Sequence, residues 1–231
     1  MPRIARVVAV GLPHHVTQRG NNRCRVFFCD DDRRFYLWKL VEYCRRYDFS
    51  VWAYCLMDNH VHFLGVPERE ESLARCFGGT SLVYTQRVNR ERRRSGRLWQ
   101  NRFYSCPVDR ESYLMPVVRY IERNPVRAGL VKRAWDHAWS SARSHVSGAP
   151  DPVLETPGWL PERLRTVDYR SYLLSRSPGE EAEIRSRTGT GRPLGGAGFT
   201  AKLESKLGRV LTACRAGRPR RAGGKKQGKC P

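Results

Sequence analysis

The stretch FSVWAYCLMDNHVHFLGV, residues 49–66, constrains the fold more than any other part of the chain. Residues 49–57 and 60–66 are both dense in β-branched and aromatic side chains, the composition of strands. Asp58-Asn59 between them is a turn signal, so the segment predicts an antiparallel hairpin. Helical segments flank it on both sides. CDDDRRFYLWKLVEYCRRYD (29–48) opens on aspartates, closes on arginines, and spaces Phe35, Trp38, Leu40 and Val41 at roughly helical intervals. SLARCFGGTSLVYTQRVNRERRR (72–94) predicts a second helix, weakened at Gly78-Gly79. Further out lie strands within HHVTQR (14–19) and LWQNRFYSCPV (98–108), and a third helix over 109–125 ended by Asn124-Pro125. The order β-α-β-β-α-β-α predicts an α+β, ferredoxin-like (RRM-like) antiparallel sheet with helices on one face and the other face free.

This core occupies residues 1–150, after which the composition shifts. Residues 151–179 read as a Pro/Gly-rich linker with a short helical element. Residues 180–213 read as a basic, helical, DNA-binding-like extension whose second helix carries Leu203, Leu207 and Leu211 at i, i+4 and i+8. The tail, 214–231, holds seven basic residues and no acid, a composition that favours disorder.

Charge narrows the partners. Lys and Arg number 43 against 22 Asp and Glu, a net +21. Such an excess is costly in self-repulsion without a polyanion, so nucleic acid is the first candidate and an acidic membrane surface the weaker one. No stretch approaches the ~20 apolar residues that span a bilayer. MPRIARVVAVGLP does not read as a signal peptide, so the cytoplasm is the expected compartment. The eight cysteines are scattered with no CxxC pair, which reads as reduced, space-filling thiols.

Strand periodicity puts His60 and His62 on one face, with Val61 and Phe63 turned toward the core. Two imidazoles so placed can chelate a divalent cation. The bare pattern fits a decorated surface strand equally well. On the third helix, Leu114, Val117, Val118 and Ile121 form the apolar stripe, while Tyr113, Tyr120 and Asn124 fall on its flank. A helix packed near the sheet could bring Tyr120 and Asn124 to the histidines, uniting a cation that polarises a phosphodiester with a nucleophilic phenol. On spacing alone Tyr120 also reads as an edge residue of a core helix.

LMDNHVHFL, LWQNRFY and RYIERNPVRAGLV, with GLPHHVTQRGNNRCRVFFCDD before them, resemble the IS200-like single-tyrosine HUH transposases, and most closely the REP-associated tyrosine transposases of bacteria. The resemblance covers about residues 5–146. TGRPLGGAGF and LESKLGRVL are similar to the C-terminal extension of longer members. It implies cleavage and rejoining of single-stranded, hairpin DNA at REP-like palindromes through a 5′-phosphotyrosine, in a cytoplasmic, nucleoid-associated protein. Tyr120 would be the nucleophile, and His60, His62 and Asn124 the ligands of Mg²⁺ or Mn²⁺. Asn124 departs from relatives that carry a glutamine there, and is shorter by one methylene. Arg19, Asn21, Asn22, Arg23, Trp99, Gln100 and Arg102 match the segments that read bases, although Trp99 also reads as core packing. Arg218 and Arg220 in the tail suit an electrostatic tether to DNA. Two rivals stand beside this reading: a domesticated nucleic-acid-binding module that does not cut, and a metal-dependent nuclease using activated water. Relatives include monomers acting in cis and dimers that exchange the tyrosine helix.

Overall fold

The computed structural model describes residues 4–155 and 168–212. Strands β1 (His14–Arg19), β2 (Phe49–Met57), β3 (His60–Pro67) and β4 (Tyr104–Pro107) form one sheet in the order β2-β3-β1-β4. Each neighbouring pair is antiparallel. The register sets Thr17 opposite both His62 and Tyr104, and Arg19 opposite His60. This is the predicted α+β sheet, and the central hairpin has the predicted bounds to within a residue.

Helices α1 (Asp30–Arg46) and α2 (Ser72–Glu91) cover one face. The Asp32 carboxylate closes the start of α1 by accepting from the backbone N–H groups of Phe28 (2.8 Å) and Cys29 (3.3 Å). The buried apolar residues of α1 are Tyr36, Leu37, Leu40 and Cys44, with Phe35 and Val41 partly buried against the same core; of the expected four, Trp38 turns away. Trp38 is 59% exposed, with the Lys39 ammonium 4.0 Å from its ring centroid. The Gly78-Gly79 pair does not interrupt α2. A Cβ on Gly79 would lie 2.4 Å from the Tyr43 ring of α1, so the glycine permits close helix–helix contact. Val16, Val61 and Phe63 from the sheet join Tyr36, Phe77 and Tyr84 in this core.

The opposite face is not left free. Helices α3 (Leu114–Glu122), α4 (Asn124–Arg127), α5 (Ala142–Ser147), α6 (Tyr169–Leu174) and α7 (Pro178–Thr190) follow in the chain, and α8 (Ala197–Leu207) completes it. Leu114, Val117, Val118 and Ile121 are fully buried. They pack with Ala53, Cys55, Leu64 and Cys106 of the sheet and with Ile184 of α7. An apolar stripe this complete demands a partner surface, and the second sheet face supplies it. The end of the sheet where β1 leaves and β3 begins borders an open cavity.

Several boundaries move for local reasons. The third helix starts at Leu114 because Asp109 accepts from the Glu111 N–H (3.2 Å) and Ser112 Oγ (2.6 Å), holding 109–113 in a turn. α3 ends at Glu122, just before Asn124-Pro125 as expected, and the short α4 starts there because proline is tolerated in the first turn of a helix. The last strand shortens to 104–107, because Leu98 and Gln100 bond instead to Asn21 (2.8 Å) and Arg19 (2.9 Å) of the loop after β1. Leu203 and Leu211 bury against Val7 and Ala9, but Leu211 lies past the αL cap of α8 at Gly208. The six described cysteines outside the tail are free thiols. Among the described residues no helix is long and apolar enough to cross a membrane. The tail with Arg218 and Arg220, and the start of the expected helical element near 159, lie outside the described residues.

His14 carries an acid sensitivity. Its Nδ1 donates to the Leu12 carbonyl (2.8 Å) and its Nε2 accepts from the Ala9 N–H (3.1 Å). Burial pushes its pKa down to about 4 from 6.5. The unfolded chain takes up this proton near pH 6.5 and the folded chain only near pH 4. Stability is therefore full above pH 6.5 and lost as pH falls toward 4, by about 3 kcal/mol from this residue. Denaturant unfolding measured across that range should show the decline, and His14→Gln should flatten it.

Candidate functional site

At the open end of the sheet lies a cavity of about 550 Å³, lined from the sheet by His15, Thr17, Arg19, Met57, His60, His62 and Tyr104. Tyr120, Asn124, Arg127, Arg185 and Thr188 line it from the helices, and Arg23 from the loop after β1. Strand alternation and register deliver the sheet residues to one side, as the spacing of His60 and His62 predicted. Among the described residues no carboxylate lines the cavity, while four arginines do. Such a site favours an anion.

The two histidines are held by different means. Asn59 Nδ2 donates to the Arg23 carbonyl (2.9 Å), which turns Asn59 Oδ1 toward His60 Nδ1 at 2.6 Å. His60 therefore keeps its proton on Nδ1 and bears a lone pair on Nε2. Burial lowers its pKa to about 4, helped by Arg19 and Arg127 and opposed by a hydrogen bond with Asn124. His62 Nδ1 lies 2.9 Å from His15 Nε2. Burial, then His60 and His15, hold His62 well below the usual histidine range. Both rings are neutral near pH 7, the state in which imidazole ligates a metal. Their centroids are 5.1 Å apart.

Tyr120 stands against this pair, 6% exposed, with its ring edge-on to His62 (5.6 Å) and His15 (5.7 Å). The Arg127 guanidinium covers its face at 4.1 Å. Arg127 also donates to the Tyr120 carbonyl (3.0 Å) and to Asn124 Oδ1 (2.7 Å). Asn124 Nδ2 in turn donates to the carbonyls of Tyr120 (3.1 Å) and Ile121 (3.0 Å). Among the described residues the Tyr120 hydroxyl has no protein partner, so its oxygen is available for chemistry. Helix α7 braces this assembly, pairing Glu180 with Arg119, Glu181 with Arg127 (3.6 Å) and Glu183 with the Tyr113 hydroxyl (2.9 Å).

Among the described residues no group of three or more His, Cys, Asp or Glu side chains could hold a metal. The available donors are two neutral imidazoles and the Asn124 amide oxygen. That set fits a divalent cation that keeps water in its shell, as Mg²⁺ and Mn²⁺ do.

The structure thus gathers His60, His62, Tyr120, Asn124, Arg19 and Arg23 in one place. Asn21 and Asn22 sit in a 3₁₀ turn beside the cavity without lining it, Asn22 at φ +51°. Gln100 is exposed, and Arg102 lines a separate groove with Arg6, Arg97 and Phe103. Trp99 is not a surface for stacking bases: it is 6% exposed and packed among Phe27, Tyr36 and Tyr84. Tyr113, the next tyrosine on the same helix flank, lies outside the cavity, whereas Tyr104 lines it. His15, Thr17, Tyr104, Arg127, Arg185 and Thr188 escaped the sequence reading. Arg127 had a signal, standing one helical turn beyond Asn124 on the same side as Tyr120.

Residues 9–124 match the family model described as Transposase IS200 like. A curated relative from Haemophilus influenzae, named as a REP-associated tyrosine transposase, is 28% identical over 113 residues. That alignment takes in 45% of this chain and 64% of the relative, so this chain spans less than two thirds of that protein. A solved structure of a REP-associated tyrosine transposase bound to a REP hairpin shares the fold, with a TM-score of 0.51 at 19% identity over 68% of this chain and 93% of that one. The family match covers half the sequence and contains His60, His62, Tyr120 and Asn124. The chain belongs to the IS200-like transposase family.

Proposed function

We propose that this protein cleaves and rejoins single-stranded DNA at REP-like hairpins, using Tyr120 as the nucleophile. The observation that carries this reading is the convergence of Tyr120 and the neutral His60–His62 pair in one cavity lined, among the described residues, by four arginines and no carboxylate. The hairpin substrate is carried over from the solved relative. The Tyr120 oxygen attacks the scissile phosphorus, the bond from phosphorus to the 3′-oxygen breaks, and a 5′-phosphotyrosine forms. The phenol loses its proton and the departing 3′-oxygen gains one, so the exchange is neutral and reversible by a second 3′-hydroxyl. His60, His62 and Asn124 hold Mg²⁺ or Mn²⁺, which supplies Lewis-acid polarisation of the phosphate. Arg127 keeps Tyr120 and Asn124 in fixed relation, while Arg19, Arg23 and Arg185 contact DNA phosphates.

A hairpin oligonucleotide with a single-stranded flank, incubated with the protein and Mn²⁺, tests this on a denaturing gel. A covalent protein–DNA band is expected. Protein-free cut ends would assign the reaction to activated water, and tight binding without any cleavage would leave a binding module.

A further inference from the structure

Beyond the stretch matched by the family model, α7 sends Thr188 into the same cavity wall. Its hydroxyl oxygen lies 2.7 Å from the Ile184 carbonyl oxygen and 2.7 Å from His15 Nδ1. His15 Nε2 then lies 2.9 Å from His62 Nδ1, with the ring centroids 5.2 Å apart and the ring planes within 15° of each other. All three contacts are hydrogen-bond distances, and all are buried.

The proton order along this row is decided at its carbonyl end. A carbonyl only accepts, so the Thr188–Ile184 contact needs the threonine hydrogen; two oxygens 2.7 Å apart with no hydrogen between them would repel. With that hydrogen committed, Thr188 Oγ1 accepts from His15, whose proton sits on Nδ1. His15 Nε2 is then a bare lone pair and accepts from His62 Nδ1–H. His62 is left with its lone pair on Nε2. His60 reaches the same tautomer independently through Asn59.

We infer that Thr188 and His15 are positioning residues that fix the tautomer and ring angle of His62, so that α7 prepares an imidazole on the sheet to receive the cation. This rests on the metal-site reading above and deepens it. Hydrogen-bonded partners behind a ligating histidine set its orientation and basicity, and their loss commonly costs about 10–100-fold in metal affinity.

Two readouts on the full chain test it. Long-range ¹H–¹⁵N spectra of the histidine rings, recorded without metal at neutral pH, report which nitrogen bears the proton. His15 and His62 should both be Nδ1–H in the wild type and in Thr188→Ser, and Thr188→Val should redistribute both. Mn²⁺ titration followed by electron paramagnetic resonance should show Thr188→Ser binding like the wild type and Thr188→Val binding about ten-fold more weakly. Thermal unfolding of Thr188→Val separates this from general loss of fold, and His15→Gln supplies a second variant at the middle of the row. A wild-type His62 protonated on Nε2 would overturn the inference, as would Thr188→Val with unchanged tautomers and affinity. Failure of the wild type to bind Mn²⁺ would instead overturn the metal-site reading, with the tautomer spectra still deciding the proton order.

Discussion

Tyr120→Phe should abolish the covalent protein–DNA adduct, lowering strand cleavage by about 10⁴-fold or more, the scale on which loss of a nucleophile is felt. Folding should survive the change. The ring keeps its contacts with His15, His62 and Arg127, and the deleted hydroxyl has no protein partner among the described residues. Hairpin affinity should hold as well, since the cavity's arginines are untouched. The informative control is Tyr104→Phe, because Tyr104 lines the same cavity from β4. Tyr113→Phe is the weaker control: its hydroxyl is engaged with Glu183 outside the cavity. An adduct that persists in Tyr120→Phe and disappears in Tyr104→Phe would move the nucleophile from the helix to the sheet.

The largest loss of stability is expected from Glu122→Ala, at about 3–5 kcal/mol, the usual cost of breaking a buried ionic network from one side. Glu122 is fully buried. One carboxylate oxygen accepts from Ser141 Oγ (2.6 Å) and His145 Nδ1 (2.6 Å), the other from the Tyr169 hydroxyl (2.6 Å). These donors belong to the start of α5, to α5 itself and to α6, so one side chain of α3 gathers three segments. Burial and the neighbouring carboxylate hold the Tyr169 phenol far above its ordinary range, which keeps it a donor. Alanine leaves all three buried donors without their acceptor. Glu122→Gln should cost less, since its carbonyl oxygen still accepts. Equilibrium urea unfolding of the two variants measures the difference, and a loss below about 1 kcal/mol for alanine would contradict the network's importance.

What the sequence made legible followed from short-range rules. Alternation along 60–63 placed the histidines, and the 3.6-residue period placed Leu114, Val117, Val118 and Ile121 in the core with Tyr120 and Asn124 beside them. What stayed hidden depended on contacts between distant segments. Nothing local tells that Thr17 lies across from His62, so His15 had no reason to stand out from His14 next to it. Trp99 has the composition of a stacking residue, and only the three-dimensional position of the loop after α2 buries it. On α1, Leu40, Phe35 and Val41 face the core as expected, but Trp38 sits at helical spacing and yet stays exposed beside Lys39. The motif residues were found by resemblance and geometry together; Arg127 was quoted within its motif but passed over, since arginine in a +21 chain carries little distinction.

The position of α7 has a consequence for how such a protein can be shortened. The family-model match, with His60, His62, Tyr120 and Asn124, lies within residues 9–124, and a fragment ending near residue 150 would retain it whole. That fragment would lack Thr188 and Arg185 from the cavity wall and the glutamates that brace Arg119, Arg127 and Tyr113. It would expose the apolar surface now covered by Ile184. The stretch that identifies the chain and the stretch that makes a finished cavity therefore have different ends, separated by more than sixty residues of sequence.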